Sequence, residues 1–404
     1  MNIRNNVFFI KKELHNFCIY RFIFGISYSL MIPAIPLFFD SIGITTLAIG
    51  TVMSLYGISK TLTQMPFGIV SDTIGDKLTL MLALILMIFV PFAYTLTNNH
   101  LIAGGIYVIQ GAILGMAAPA TFSILSRSLV KRKRGESTGL ASAVFTLGGG
   151  IGAAISGFIM KKLGSYSMIF YMSSLGILGT FIYVGLQIDK NNLIRVKVRF
   201  NTHKNNRRIK VIIEEIKRYN LQYKIIVLGA IAFLGDFIYG CIVALFHFYG
   251  QDVLGTSTVY TSSIISIYLI VFGLGAPIAG WVSDKVGNKK QLFLSFNIMN
   301  ITLLGLTFTR NIIFFTMIII IYFLGATFLN AALQNSLSEF GDSLKIKGIV
   351  FGIVGASESL GYSIGPLVSA YIYQLNKSWL FIGLLVVSII ISVIYLFLHK
   401  KAHI

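Results

Sequence analysis

Two carboxylates lie inside apolar stretches of the chain, where a charged side chain is costly. Asp236 is near the middle of the apolar segment 222–249, and Glu358 is near the middle of 347–373. An ionisable group at the centre of a membrane helix costs about 2.5–3.5 kcal/mol on insertion scales, so such residues are functional candidates. Desolvation favours a neutral carboxyl, and a carboxylate can bind a proton or a cationic solute. The alternative role is a buried hydrogen bond or ion pair between helices.

Basic and polar side chains elsewhere in the apolar segments extend this set. Arg21 and Lys60 either reach along their helices to water or face a cavity, where they would pair with a carboxylate or an anionic solute. His247 is expected to be packed or wetted, with a proton relay as the alternative. The remaining candidates to line a solute site are Tyr28, Gln110 and Tyr239.

The elements that must position these residues are membrane helices. The chain has 404 residues, of which 55% are hydrophobic and 12% charged, and its mean hydropathy is +0.81. Soluble domains carry about 25% charged residues, and about 20 apolar residues cross a bilayer as a helix. The sequence therefore predicts an all-α membrane protein with twelve spans, at 17–39, 46–70, 78–97, 101–126, 138–160, 167–187, 222–249, 258–282, 291–309, 311–337, 347–373 and 379–398.

The spans divide into two bundles of six helices. We predict an N-terminal bundle over 1–187, a basic cytoplasmic linker over 188–221 and a C-terminal bundle over 222–404. The net charge of +19 does not indicate nucleic-acid binding, because the basic residues lie between apolar spans. Their distribution predicts a multi-pass plasma-membrane protein with both termini in the cytoplasm. The linker is interpreted as a retention signal that touches lipid headgroups, with an anionic-lipid or nucleic-acid patch as the alternative.

The second half repeats the first. Several residues recur 212 or 213 positions later, which predicts two parallel repeats with the solute site between them. The recurring pairs include Gly68 with Gly280, Ser71 with Ser283, Asp72 with Asp284, Gly75 with Gly287, Lys77 with Lys289, Gly139 with Gly352, Gly148 with Gly361 and Gly152 with Gly365.

The most specific motif is a short loop that occurs once in each half. Residues 68–77 read GIVSDTIGDK, and residues 280–289 read GWVSDKVGNK. Glycine at the first position allows close helix approach, glycine at the eighth permits positive φ, and an acid can interact with a helix N-terminus. This loop resembles the signature of the major facilitator superfamily, although the usual arginine after the acid is Thr73 or Lys285.

The resemblance implies the major facilitator fold and a conformational latch. Asp72 would meet the helix start near Gly348, with Arg127 as a nearby cation, and hold the outward-open state. The predicted latch residues are Gly68, Asp72, Gly75, Lys77, Arg127, Gly280, Asp284, Gly287 and Lys289.

Glycine-rich segments carry a second resemblance. Residues 138–160 are similar to the span-five signature of the drug:proton antiporter branches, whereas duplication and close packing also explain this pattern. Gln110 lies in a further family signature, but Tyr107 replaces its arginine, so proton coupling would require Arg21 or another basic group. The residues assigned to helix packing and gating are Gly139, Gly148, Gly152, Gly157, Gly352, Gly361, Gly365 and Pro366.

These observations favour transport over catalysis. The sequence has no nucleotide-binding glycine loop with lysine and no metal-spaced helix, so neither an enzyme nor a cofactor or metal is predicted. We predict a monomeric secondary transporter that works by alternating access, with proton-coupled export of amphipathic or drug-like compounds. Uptake or exchange of a metabolite or lipid is the alternative within transport, and a nontransporting membrane sensor is the alternative outside it. The sequence does not identify the substrate.

Overall fold

The structure is a computed structural model that describes residues 11–128, 134–188, 221–338 and 344–402. Within these ranges the regular structure is entirely helical, as predicted. The helices are α1 Lys12–Ser29, α2 Met31–Ser41, α3 Thr46–Ile74, α4 Asp76–Tyr94, α5 His100–Ser128, α6 Arg134–Leu163, α7 Tyr166–Gln187, α8 Gln222–Asp252, α9 Thr258–Val286, α10 Asn288–Phe308, α11 Ile312–Ser338, α12 Leu344–Leu375 and α13 Leu380–Ala402, with a 3₁₀ turn at Lys377–Trp379.

These helices form twelve spans. α1 and α2 make one span, because Leu30 between them keeps helical dihedrals (φ −53°, ψ −38°). Ten spans of the described chain are apolar enough to cross a membrane by length and composition. The other two, α3 and α12, contain 29 and 32 residues, which exceeds the length a bilayer requires. Since α3 packs along α5 and α12 along α8, each belongs to the helical bundle of its own half. The predicted linker, 188–221, falls almost wholly outside the described residues.

The loop repeated in each half folds in the same way both times. Gly75 and Gly287 have φ of 100° and 90°, a region that glycine enters without a steric penalty. Each glycine N–H donates to the carbonyl of the serine four residues earlier, Ser71 or Ser283, at 2.9 Å. The chain therefore turns on a single glycine between α3 and α4 and again between α9 and α10, which confirms the predicted conformation of both glycines.

Four of the predicted packing glycines, two in each half, lie where two helices of the same half touch. At each position, an added methyl group would overlap a backbone oxygen of the facing helix. The facing pairs are Gly148 with Phe22 and Gly152 with Ile26, between α6 and α1, and Gly361 with Phe233 and Gly365 with Phe237, between α12 and α8. The glycine-rich segments are therefore closely packed at these four positions, and a gating role of the residues stays a prediction. Each half thus contains a closely packed pair of this kind, α1 with α6 and α8 with α12, and these two pairs are related by the repeat.

The two halves meet through a symmetric pair of contacts. α3 of the first half packs against α12 of the second, and α9 of the second half packs against α6 of the first. Because α3 corresponds to α9 and α6 to α12 in the repeat, the two contacts are equivalent. The space between the halves therefore lies on a pseudo-two-fold axis along the helices, the arrangement expected for parallel transporter repeats.

Candidate functional site

The space between the halves is closed at one end and open at the other. We call the end where α7 finishes and α8 begins the linker side, and the other end the opposite side. In α8, every residue from Gly240 to Gly250 is buried, whereas Ile226, Phe233 and Asp236 on its linker-side part keep exposed surface. A helix between two bundles is buried all round only where the bundles meet. The structure is therefore closed on the opposite side and open toward the linker side.

Contacts between the halves confirm this closure. The Leu367 N–H of α12 donates to Ser54 Oγ of α3 at 3.0 Å. The equivalent contact joins Ser266 Oγ of α9 to the Gly150 carbonyl of α6, at 2.7 Å. All four positions lie between the middle of their helices and the opposite side.

Tight glycine contacts extend the closed region toward the end of the bundle. A methyl group at Gly50 would overlap Pro366 and Ala370 across the interface, and one at Gly157 would lie 2.7 Å from Ser262 Cβ. By contrast, a methyl at Gly68 would find its nearest neighbour at 3.7 Å, and one at Gly139 or Gly280 would find nothing within 4 Å. The close approach expected at the latch glycines Gly68 and Gly280, and at the packing glycine Gly139, is therefore not made in this open state.

Three ionisable side chains from both halves face the central space. Lys60 comes from α3, Asp236 from α8 and Glu358 from α12, and each is only partly buried although it lies in mid-helix. The Lys60 ammonium attracts both carboxylates electrostatically, and the two carboxylates repel each other. Within the described part of the chain, none of the three forms a direct ion pair with another. We call these residues the charged trio.

A layer of six tyrosines crosses the molecule beside the charged trio. Tyr28 and Tyr56 join their hydroxyls at 2.8 Å, and the Tyr56 and Tyr107 rings stack with centroids 4.6 Å apart. Tyr362 links this group to the second half, with its ring 5.7 Å from Tyr56 and 6.0 Å from Tyr239. The members of this tyrosine layer are Tyr28, Tyr56, Tyr107, Tyr239, Tyr268 and Tyr362.

The tyrosine layer forms the base of the open space. Tyr56 lies one helical turn from Lys60, and Tyr362 lies one turn from Glu358, in both cases toward the opposite side. Since a turn rises about 5.4 Å, the charged trio stands roughly that far above the aromatic base. A solute entering from the linker side would meet the three charges first and then flat aromatic faces edged with hydroxyl groups.

Gln110 ties the tyrosine layer to the core of the first half. It is fully buried, its Nε2 donates to Tyr28 Oη at 3.4 Å, and its Oε1 accepts from Tyr94 Oη at 3.0 Å. Tyr107, which stands where the family signature has arginine, is part of the aromatic stack. The structure therefore places Tyr28, Gln110 and Tyr239 beside the central space, but puts an aromatic ring where the arginine would be.

Arg21 and His247 lie apart from the charged trio. The Arg21 guanidinium carbon is 3.9 Å from the centre of the Phe145 ring, a cation–π contact between α1 and α6. His247 is fully buried on the closed side, with Nδ1 2.5 Å from Thr261 Oγ1 and with no partner for Nε2 among the described atoms. A proton relay through His247 and a coupling role for Arg21 stay predictions.

The linker-side loop of the first half contains an ion pair that involves Asp76. Arg127 donates to Asp76 and also to Ser123 Oγ at 2.8 Å. The Asp76 carboxylate, which begins α4, accepts from Ser123 at 2.7 Å and from Ser71 as well. An anion at a helix N-terminus interacts favourably with the helix dipole. The side chain of Asp72 and the surroundings of Gly348 and Gly352 lie outside what the structure describes, so the predicted latch stays a prediction.

The second copy of this loop has a neutral centre. Asn288 takes the place of Asp76 and accepts from Ser283. Asp284 Oδ1 accepts from Asn335 Nδ2 at 3.3 Å. The two lysines also differ, since Lys77 Nζ donates to the Gly185 carbonyl at 2.8 Å while Lys289 is exposed. The repeat therefore preserves the shape of the loop and changes its charge.

Sequence reasoning missed part of both sites. Tyr56 and Tyr268 are 212 positions apart, and Tyr56 and Tyr362 each lie one turn from a charged candidate, so the spacing contained a usable signal. Asp76 carried the weaker signal of an acid directly after a turn glycine, at the first residue of a helix. These residues complete the candidate site: a charged trio, an aromatic base and a linker-side ion pair.

Comparisons with known proteins agree with this architecture. The family model described as Major Facilitator Superfamily matches residues 17–343. Quinolone resistance protein NorA of Staphylococcus aureus strain COL is 22% identical over 362 residues, which are 88% of each chain.

Two solved structures are similar in fold at low sequence identity. A variant of the nucleoside transporter NupG has a TM-score of 0.76 with 11% identity, over 96% of this chain and 99% of that one. A bacterial homologue of the human lysosomal transporter Spinster, in an inward-facing and unoccupied conformation, has a TM-score of 0.76 with 12% identity over 97% of both chains.

Proposed function

Because the chain belongs to the Major Facilitator Superfamily, a family of membrane transporters, we propose that it exports small amphipathic compounds in exchange for protons. The observation that carries this proposal is the charged trio. Lys60 from one half and Asp236 and Glu358 from the other face one space that is open on the linker side. Because the trio draws on both halves, their relative motion changes what these residues contact.

Coupling would follow from competition at the carboxylates. In the linker-side-open state, a cationic solute binds Asp236 and Glu358 when they have released their protons. After the halves rock and the opposite side opens, external protons displace the solute. Protonated acids then return to the linker side. Lys60 serves as an internal cation that offsets one of the two acidic charges when neither proton nor solute is bound, so an empty site holds one uncompensated charge instead of two.

The tyrosine layer supports an amphipathic substrate. Aromatic rings bind apolar and aromatic surfaces in offset or edge-to-face geometries, and their faces attract cations. Tyrosine hydroxyls add hydrogen-bond partners at the ring edges. The name of the similar NorA protein, a quinolone resistance protein, also favours drug-like compounds and export.

The predicted location and latch complete the proposal. The linker side would face the cytoplasm, so the open state would load solute from inside the cell across the plasma membrane. Asp72 and Asp284 would act on the linker side in the other state, when the gap near Gly68 and Gly280 closes. The Asp76–Arg127 pair would keep the first loop rigid as it docks.

Transport by purified protein in vesicles tests the coupling proposal. The solute is chosen from a panel of aromatic cations by thermal stabilisation, because a ligand that binds the folded state raises its apparent stability. A pH gradient that is acidic on the side of the protein's external face should make the wild type accumulate solute on that same side. Asp236→Asn should abolish this accumulation while exchange at equal pH partly survives, and Glu358→Gln should give a similar or smaller loss.

Two results would contradict the proposal in different ways. If Asp236→Asn, Glu358→Gln and the double variant still concentrate solute with the pH gradient, these acids are not the coupling site. If the wild type moves solute only in the direction in which protons flow, the protein is an uptake system, the alternative that the sequence left open. His247→Gln tests a separate prediction, the proton relay at this residue, which lies away from the charged trio.

A further inference from the structure

A groove on the outer surface of the second half combines basic and apolar side chains. It lies between the start of α10 and the end of α13, at the linker side, and has a volume of about 560 Å³. Lys289, Lys290 and His399 line its outer end, and no acidic residue is among its lining side chains. Phe293, Leu294 and Leu396 lie about one turn deeper along the same helices. A lipid headgroup at this end of the bundle would therefore meet the charge, and its acyl chains would meet the apolar wall.

The walls of this groove are held in place. Tyr395 Oη of α13 donates to the Lys289 carbonyl of α10 at 3.0 Å. The Tyr395 ring also contacts Phe296 and His399, with centroids 5.4 and 5.6 Å apart. The side chain of Tyr395 is buried, so this cross-link fixes the spacing of the two helix ends. The groove is therefore a feature of the packed helices and not of a loop.

Both lysine ammonium groups are available to a ligand. Lys289 and Lys290 are exposed, and the described residues include no hydrogen-bond acceptor or carboxylate for either ammonium. The equivalent turn of the first half differs, because Lys77 donates to the Gly185 carbonyl and Leu78 stands where Lys290 would be. The start of α4 is therefore an internal comparison for the start of α10, because it does not offer a pair of free lysines.

We propose that this groove is a binding site for one anionic phospholipid, whose phosphate pairs with Lys289 and Lys290 while an acyl chain lies against Phe293, Leu294 and Leu396. The proposal does not depend on which solute is transported or on how transport is coupled. Basic residues near a membrane surface attract anionic lipid, and the predicted cytoplasmic position of the linker side places the groove in the anionic leaflet.

Native mass spectrometry of the full-length protein in detergent tests this assignment. The probe is dioleoyl phosphatidylglycerol, compared with dioleoyl phosphatidylcholine of the same chains and with glycerol 3-phosphate, which has no chains. Phosphatidylglycerol should bind more tightly than either. Lys289→Gln with Lys290→Gln should weaken its binding by roughly five-fold per lysine, about 25-fold in total, and leave phosphatidylcholine unchanged. The matched control is Lys161→Gln with Lys162→Gln, an adjacent pair on the opposite side.

Each other outcome overturns the proposal. Equal binding of the two lipids would make the groove an unselective lipid contact. An equally large loss of phosphatidylglycerol binding in the control with Lys161→Gln and Lys162→Gln would show that the effect does not arise in this groove. If glycerol 3-phosphate binds as tightly as phosphatidylglycerol, the site recognises a free phosphate instead of a lipid. All four substitutions are on exposed side chains, so the variants should fold, and a thermal unfolding curve checks this directly.

Discussion

The closed opposite side should open when a single methyl group is added at Gly50. A Cβ there would overlap Pro366 and Ala370 of the facing helix, so the two halves must separate to accommodate alanine. Overpacking of this kind costs about 1–3 kcal/mol. This cost arises only in the state in which α3 and α12 touch at Gly50. It therefore shifts the equilibrium between the linker-side-open state and the opposite-side-open state. Since every 1.4 kcal/mol is tenfold, Gly50→Ala should shift this equilibrium by roughly 5- to 150-fold toward the state closed on the linker side.

Distance measurements between spin labels test this shift. Labels at Thr73 and Lys285 sit at the exposed linker-side ends of α3 and α9, while the two native cysteines are buried. The Gly50→Ala variant should show a larger population of short label distances than the unsubstituted protein.

The control variant is Gly105→Ala, because a methyl there would meet nothing within 4 Å. This substitution gives the same gain in helix propensity as Gly50→Ala. If Gly50→Ala and Gly105→Ala gave the same distance distribution, the contact at Gly50 would not hold the opposite side closed.

Three further variants address the charges. Lys60→Gln removes the cation that a positive solute must approach, so binding of an aromatic cation should tighten by roughly five-fold, on the order of 1 kcal/mol, in a binding titration; weaker binding would contradict the internal-cation role. Asp76→Asn should lower the free energy of unfolding by roughly 0.2–1 kcal/mol, measured by thermal unfolding, because the half-exposed Arg127 loses its anion; unchanged stability would refute this. Asp72→Asn should favour the linker-side-open state by about 0.3–2 kcal/mol, and unchanged label distances would exclude the latch.

The fold could be predicted because its causes are local or repeated in the sequence. Long apolar runs require helices in a bilayer, where each backbone polar group must be satisfied within its own segment. The recurrence at 212 positions gave the two-half architecture. Gly148 and Gly361 indicated close helix packing, since small residues allow membrane helices to approach, and both indeed face backbone oxygens.

The site could be predicted only in part. Asp236, Glu358 and Lys60 were recognisable because charge in a membrane is costly wherever the helix points. Tyr56 and Tyr362 carried only the weaker signal of a position one turn from a charged residue, because aromatic side chains are common on membrane helices. Their contact depends on how one half sits against the other, and helical periodicity does not contain that information.

The ion pair of the linker-side loop was missed for a different reason. The motif drew attention to Asp72, and Asp76, which Arg127 contacts, was not among the candidates. Whether an acid at the start of α4 meets a distant arginine depends on the turn at Gly75 and on the position of α5. Neither is fixed by the loop sequence alone.

The buried part of α8 has an electrical consequence. From Gly240 to Gly250 this helix is surrounded by protein, and a stretch of that length rises about 15 Å. In the present state a membrane voltage would fall mainly across this dry region, because water reaches the charged trio from the linker side. In the proposed rocking cycle, the same charges would become connected to the other compartment, so they would cross most of the voltage without moving far. Each net charge carried per cycle then draws about 2.3 kcal/mol from every 100 mV, and membrane potential as well as pH would drive turnover.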